Sequence, residues 1–117
     1  MEYIYFRIHP SYIFSDVYKL GKTNDLLKED LMYEDEEIIK GRFILVIETL
    51  VKNNVKKFIQ QYFKHINVYH ENETEYFKSI IVTQLKRVLN DEQIQFKKIS
   101  SEEIKQLLEN RLYTIKE

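Results

Sequence analysis

Val17-Tyr18-Lys19-Leu20-Gly21-Lys22-Thr23 is a short run of alternating apolar character that stops on Gly21, one of only two glycines in the chain. A basic residue and a hydroxyl follow the glycine, and then Asn24-Asp25. The pattern reads as a strand over 17–21 that enters a turn and then a helix start. Gly21 marks a backbone position that a side chain would obstruct. Upstream, Tyr3 to Ile8 alternates cleanly, with Ile4, Phe6 and Ile8 on one face and Tyr3, Tyr5 and Arg7 on the other. That is a half-buried strand over 3–8. Pro10 ends it, because it cannot donate to a ladder and it holds His9 extended. The two strands predict a hairpin whose exposed face carries Tyr3, Tyr5, Arg7 and Lys19.

Working outward, Thr23, Asn24 or Asp25 can cap a helix whose apolar side is Leu26, Leu27, Leu31 and Met32. Glu29, Asp30, Glu34, Asp35, Glu36 and Glu37 then form an acidic run, expected as solvated surface or loop. Arg42 to Glu48 holds a continuous apolar core, Phe43 to Ile47, and reads as a strand over 42–48 buried on both faces. Asn53 or Asn54 precedes Val55, Phe58, Ile59, Tyr62 and Phe63, spaced as the buried stripe of an amphipathic helix that stops near His65. The polar stretch 67–74 reads as turn. A helix is expected from Thr74, with Phe77, Ile80, Ile81, Leu85, Val88 and Leu89 inward. Gln93 to Ile99 can form a short strand, and Ser100 with Glu103 forms a capping box before a last helix carrying Ile104, Leu107, Leu108 and Ile115.

A chain of 117 residues is expected to form one domain. Its 18 basic and 19 acidic residues leave a net charge of −1, so any basic footprint for nucleic acid must be local. Cysteine is absent, which excludes disulfides and thiolate metal sites. No apolar run approaches the ~18 residues of a membrane span. Met1-Glu2-Tyr3 enters a strand directly, without the basic and apolar regions of a signal peptide, so an intracellular location is expected.

Several short words recur in a fixed order: Tyr3-Ile4-Tyr5, then Tyr18-Lys19-Leu20-Gly21-Lys22-Thr23, the apolar strand Phe43 to Ile47, Tyr62-Phe63-Lys64, and Glu75-Tyr76-Phe77. In that order, over roughly residues 2–90, they resemble the GIY-YIG nuclease superfamily, in the branch common in phages and large DNA viruses. The resemblance implies an α+β fold, a mixed α/β class, in which a small antiparallel three-stranded sheet is flanked by helices. The GIY-YIG-like domain would cover residues 1–99, and an extra C-terminal helix, residues 100–117, would pack on it. It implies a divalent-metal-dependent DNA endonuclease of a virus or mobile element, with Mg²⁺ or Mn²⁺ as cofactor and DNA as partner. It places Tyr5 at the first motif's tyrosine, Lys19 at the second motif's tyrosine slot with Tyr18 beside it, and Glu75 at the metal-binding glutamate. A carboxylate suits a hard cation that polarises a phosphoryl oxygen. A phenol or amine beside it can handle the water.

The superfamily places an arginine in the helix after the second motif, where this chain has Glu29 and Asp30. An acid there repels phosphate, and loss of one such donor typically lowers the rate by ~10²–10³. Arg7 and Lys22 are the candidate substitutes. With Lys56 and Lys57, whose helix face also carries Lys52 and leads to Lys64, they form the candidate nucleic-acid contacts. Other readings stand beside these. Tyr5 alone reads as a packing residue, Glu75 as an acid favoured by a helix N-terminus, and His65 and His70 as solvent-facing residues rather than ligands. Lys22-Thr23 does not complete a P-loop, because Asp16 stands where the upstream glycine belongs. Two functions therefore remain: a DNA endonuclease, or a catalytically impaired GIY-YIG-like domain that binds nucleic acid or a protein partner.

Overall fold

The computed structural model describes residues 1–116 except 14, 38, 71 and 72; the side chains of 13, 36, 70, 73, 74 and 110–116 lie outside the description. Strand β1 spans Glu2–Ile8, helix α1 Pro10–Ile13, β2 Val17–Thr23, α2 Leu26–Glu36 and β3 Arg42–Thr49. Helix α3 follows over Val55–Tyr62, then β4 Asn67–His70, β5 Glu73–Lys78, α4 Ile81–Asp91, β6 Lys97–Ile99 and α5 Ser101–Lys116. The mixed α/β class is as expected, but the sheet is larger. Six strands run in the order β4-β5-β2-β1-β3-β6, every neighbouring pair antiparallel.

The enlargement comes mainly from the segment read as a turn and a helix start. Thr74-Glu75-Tyr76-Phe77 is rich in β-branched and aromatic residues, which fit a pleated surface. It pairs with β2 through Tyr18↔Phe77 and Lys19↔Tyr76. Its alternation is buried on both sides: Phe77 enters the main core, while Tyr76 joins Tyr12 and Val17 in a separate cluster. The spacing of Phe77 and Ile80 predicts the start of a helical stripe. The helix begins at Ile81, and Ile80 is exposed.

Helices cover both faces of the sheet. On one face α3 and α4 bury Val55, Ile59, Phe63, Ile81, Leu85 and Leu89 against Ile4, Phe6, Leu20 and Ile47. On the other, α2 and α5 bring Leu26, Tyr33, Ile104, Leu107 and Leu108 against Tyr5, Phe43 and Val46. The face of β1 expected to be open is therefore covered. Of the buried stripe expected for α3, Phe58 is only partly buried at the edge of its core and Tyr62, one turn on, is exposed. A β-bulge fixes what Tyr5 meets. The ladder between β1 and β3 shifts from Phe6↔Leu45 to Arg7↔Phe43, so β3 carries one extra residue, Ile44. An extra residue reverses the side-chain alternation. Phe43 and Leu45, two apart in sequence, thus enter opposite cores.

Local chemistry sets the helix ends. Asp25 caps α2 by accepting from the Lys28 N–H at 3.1 Å. Ser100 caps α5 as its spacing predicts, accepting from the Glu103 N–H at 3.1 Å and donating to Glu103 Oε1 at 3.3 Å.

Candidate functional site

Tyr5 lies at the middle of β1 opposite Gly21, and its ring rests on that glycine. A Cβ built at Gly21 would stand 2.2 Å from Tyr5 Cζ, so no other residue fits there without moving the ring. Phe43 meets the ring edge-on at 5.0 Å, and Tyr33 of α2 does so at 6.3 Å. Tyr5 is 2% exposed, yet its hydroxyl reaches a cleft. Tyr5 Oη donates to Glu29 Oε1 at 3.0 Å and lies 2.9 Å from Tyr33 Oη. Burial, the Tyr33 hydrogen bond and the nearby Glu29 charge all raise its pKa far above a tyrosine's ordinary value. The Tyr33 pKa is also raised, by burial first, against the lowering effects of Tyr5, Lys19 and Arg7.

The cleft has a volume of about 260 Å³ and draws its walls from β1, β2, α2, α3 and β5. Of the expected site residues, Tyr5, Lys19, Lys22, Lys56 and Glu75 all line it. Lys19 Nζ lies between two rings, 5.6 Å from the centre of Tyr33 and 5.9 Å from that of Tyr76. Glu75 Oε1 accepts from Lys56 Nζ at 2.7 Å. Glu75 thus reaches the cleft from a strand, not from the helix start expected for it.

Three expected residues do not share this site. Tyr18 points to the opposite face of β2 and packs against the main core, because it neighbours Lys19 on a pleated strand. Lys57 is exposed on α3 and is not part of the cleft wall. Arg7 is fully buried, with no surface to offer a phosphate. Its guanidinium stacks 3.9 Å from the Tyr33 ring centre and donates through Nη1 to Glu37 Oε2 at 2.8 Å. Gly41 makes room for it, since a Cβ there would stand 2.6 Å from Arg7 Nη1. Burial would lower the Arg7 pKa, but the hydrogen bonds and charge of Glu37 outweigh it and the net direction is upward.

Within the acidic run Glu34 and Asp35 are exposed as expected, but Glu29, Asp30 and Glu37 turn inward. Glu29 holds Tyr5, Glu37 holds Arg7, and Asp30, 1% exposed, pairs with Lys40 Nζ at 2.9 Å. Spacing carried the signal: Leu26, Glu29, Tyr33 and Glu37 recur at three- and four-residue intervals and share one helix face. That face mixes the buried Leu26 and the Tyr33 ring with two carboxylates, while Leu31 and Met32, expected on the apolar side, are 36% and 53% exposed.

No group of three or more His, Asp or Glu converges among the described residues. The cleft offers two carboxylates, Glu29 and Glu75. Glu29 is engaged by the Tyr5 hydroxyl, and Glu75 is the carboxylate that suits a cation which keeps most of its waters and completes its shell from substrate phosphate, as Mg²⁺ does. No family model, characterised protein or solved structure matches the chain.

Proposed function

We propose that the chain is a GIY-YIG-type endonuclease that hydrolyses DNA phosphodiesters in the cleft between α2 and α3. The observation that supports it is the meeting of Tyr5, Lys19, Lys22 and Glu75, drawn from three separated sequence words, in one cleft with Lys56. Glu75 would hold Mg²⁺ or Mn²⁺ after release from Lys56, and the ion would supply charge to the phosphoryl oxygens. Lys19 and Lys22 offset the charge that builds on those oxygens, in place of the superfamily's arginine. Lys56, displaced from Glu75, offers a further contact to the DNA backbone.

A second reading is favoured by the commitments of the same groups. Tyr5 is hydrogen-bonded to Glu29 and Tyr33, and Glu75 is ion-paired with Lys56. A domain that binds DNA in this cleft without cutting it would keep these pairs intact.

Plasmid nicking with Mg²⁺ or Mn²⁺ separates the two. The nuclease reading predicts cleavage by the wild type and none by Glu75→Gln, with duplex binding retained. Binding is expected to weaken with salt at a slope of about −0.9 per phosphate contacted, and Lys22→Ala to reduce that slope by about 1. Salt-dependent binding without cleavage in either metal supports the binding module. Cleavage that persists in Glu75→Gln removes the metal role from Glu75.

A further inference from the structure

We propose that Glu29 is the proton acceptor of this cleft: Tyr5 takes a proton from the attacking water while passing its own to Glu29. The inference rests on the nuclease reading above and goes beyond it. That reading leaves Glu29 as an acid standing where the superfamily has an arginine. The geometry gives it work instead.

Tyr5 has one proton, and it points at Glu29 Oε1, 3.0 Å away. With that proton committed, Tyr33 is the donor in the 2.9 Å contact between the two hydroxyls. A hydroxyl oxygen has two acceptor positions, so one remains on Tyr5 for a water in the cleft. A buried phenol held by a carboxylate does not persist as phenolate, because desolvation and the neighbouring negative charge both oppose ionisation. It can therefore act as a base only if its own proton departs in the same step. Glu29 is already in place to receive it.

The step balances without a further reagent. The water O–H bond breaks and its proton joins Tyr5 Oη. The Tyr5 O–H bond breaks and that proton joins Glu29 Oε1. The hydroxide oxygen bonds to phosphorus, the phosphorus–oxygen bond to the leaving nucleotide breaks, and the leaving alkoxide takes a proton from solvent. Afterwards Glu29 returns its proton to solvent through the open cleft.

The charged and titratable groups around this pair are Tyr33 on α2, Arg7 on β1, Lys19 and Lys22 on β2, Lys56 on α3 and Glu75 on β5.

The test is the rate of Mg²⁺-supported cleavage at fixed pH for wild type, Tyr5→Phe, Glu29→Gln, Glu29→Arg and the Tyr5→Phe/Glu29→Gln double variant. Duplex affinity and thermal melts are measured in parallel. Each single change is expected to lower cleavage by about 10²–10⁴-fold. The double variant is expected to be no slower than the worse single one, as for residues that act as a unit. Glu29→Gln keeps the side chain's shape, so its melt and DNA affinity stay near wild type while its cleavage rate falls. Glu29→Arg, which would restore the superfamily's charge, is expected to be inactive. Wild-type cleavage that persists in Glu29→Gln, losses that multiply in the double variant, or a gain in Glu29→Arg would each overturn the relay alone. Absence of cleavage by the wild type overturns the nuclease reading and the relay with it.

Discussion

Replacing Gly21 by alanine tests whether the close approach of β2 to Tyr5 holds the cleft together. The added Cβ would meet Tyr5 Cζ at 2.2 Å and Tyr5 Oη at 2.3 Å, whereas ordinary van der Waals contact begins at 3.4 Å. The ring must retreat by more than an ångström, and Phe43 and Tyr33 stand edge-on in its way. Overpacking of this kind costs about 1–3 kcal/mol. The same movement stretches the 3.0 Å hydrogen bond to Glu29 beyond useful length, and a buried hydroxyl left unsatisfied adds about 1–3 kcal/mol. Alanine recovers roughly 0.5–1 kcal/mol through the lower entropy of the unfolded chain. The net destabilisation is about 2–4 kcal/mol. At roughly 4 °C per kcal/mol for a domain of this size, the melting temperature should fall by about 8–16 °C. The assay is thermal denaturation followed by circular dichroism, run also in a Tyr5→Leu background. Leucine ends short of the Cζ position, so there the alanine should be neutral or slightly stabilising. A melt within about 2 °C of wild type, or an equal cost in both backgrounds, would refute the reasoning.

In α3, Ile59→Ala should cost about 2–5 kcal/mol and exceed Phe58→Ala, because Ile59 is fully buried whereas Phe58 is half-buried beside Tyr62; a larger loss for Phe58→Ala in chemical denaturation would contradict this packing. Glu37 supplies an acid-dependent term. Burial alone would raise its carboxyl, but the hydrogen bonds and charge of Arg7 outweigh it and hold the folded-state pKa below the ordinary 4.5. A depressed pKa adds stability that is fully present above the unfolded value and is lost as pH falls through the folded one. Glu37→Gln should therefore melt lower than wild type at neutral pH, by about 3–5 kcal/mol for a buried arginine stripped of its partner, and the gap should narrow below about pH 4.5. Parallel melting curves from pH 7 to pH 3 would remove the pair from the acid response.

Local signals in the chain were enough to determine β1, β2 and β3, the burial of Val55 and Ile59 in α3, the Ser100 cap of α5, and the need for glycine at position 21. Each of these depends on neighbours a few residues away, and period and cap chemistry are written there. The gathering of Tyr5, Lys19, Lys22 and Glu75 was expected only through the resemblance of their short words, since nothing local brings residues 5 and 75 together. The tertiary structure alone decided the rest. Glu75-Tyr76-Phe77 became a strand because β2 offered it an edge, and pairing across some sixty residues overrode a helical spacing. Arg7 was withdrawn from any phosphate because α2 lies over its face of the sheet and sets Glu37 and Tyr33 against its guanidinium. Glu29 acquired a phenol to hold for the same reason. Whether a charge meets water or a buried partner depends on which helix covers which face, and that is settled by the packing of the whole chain.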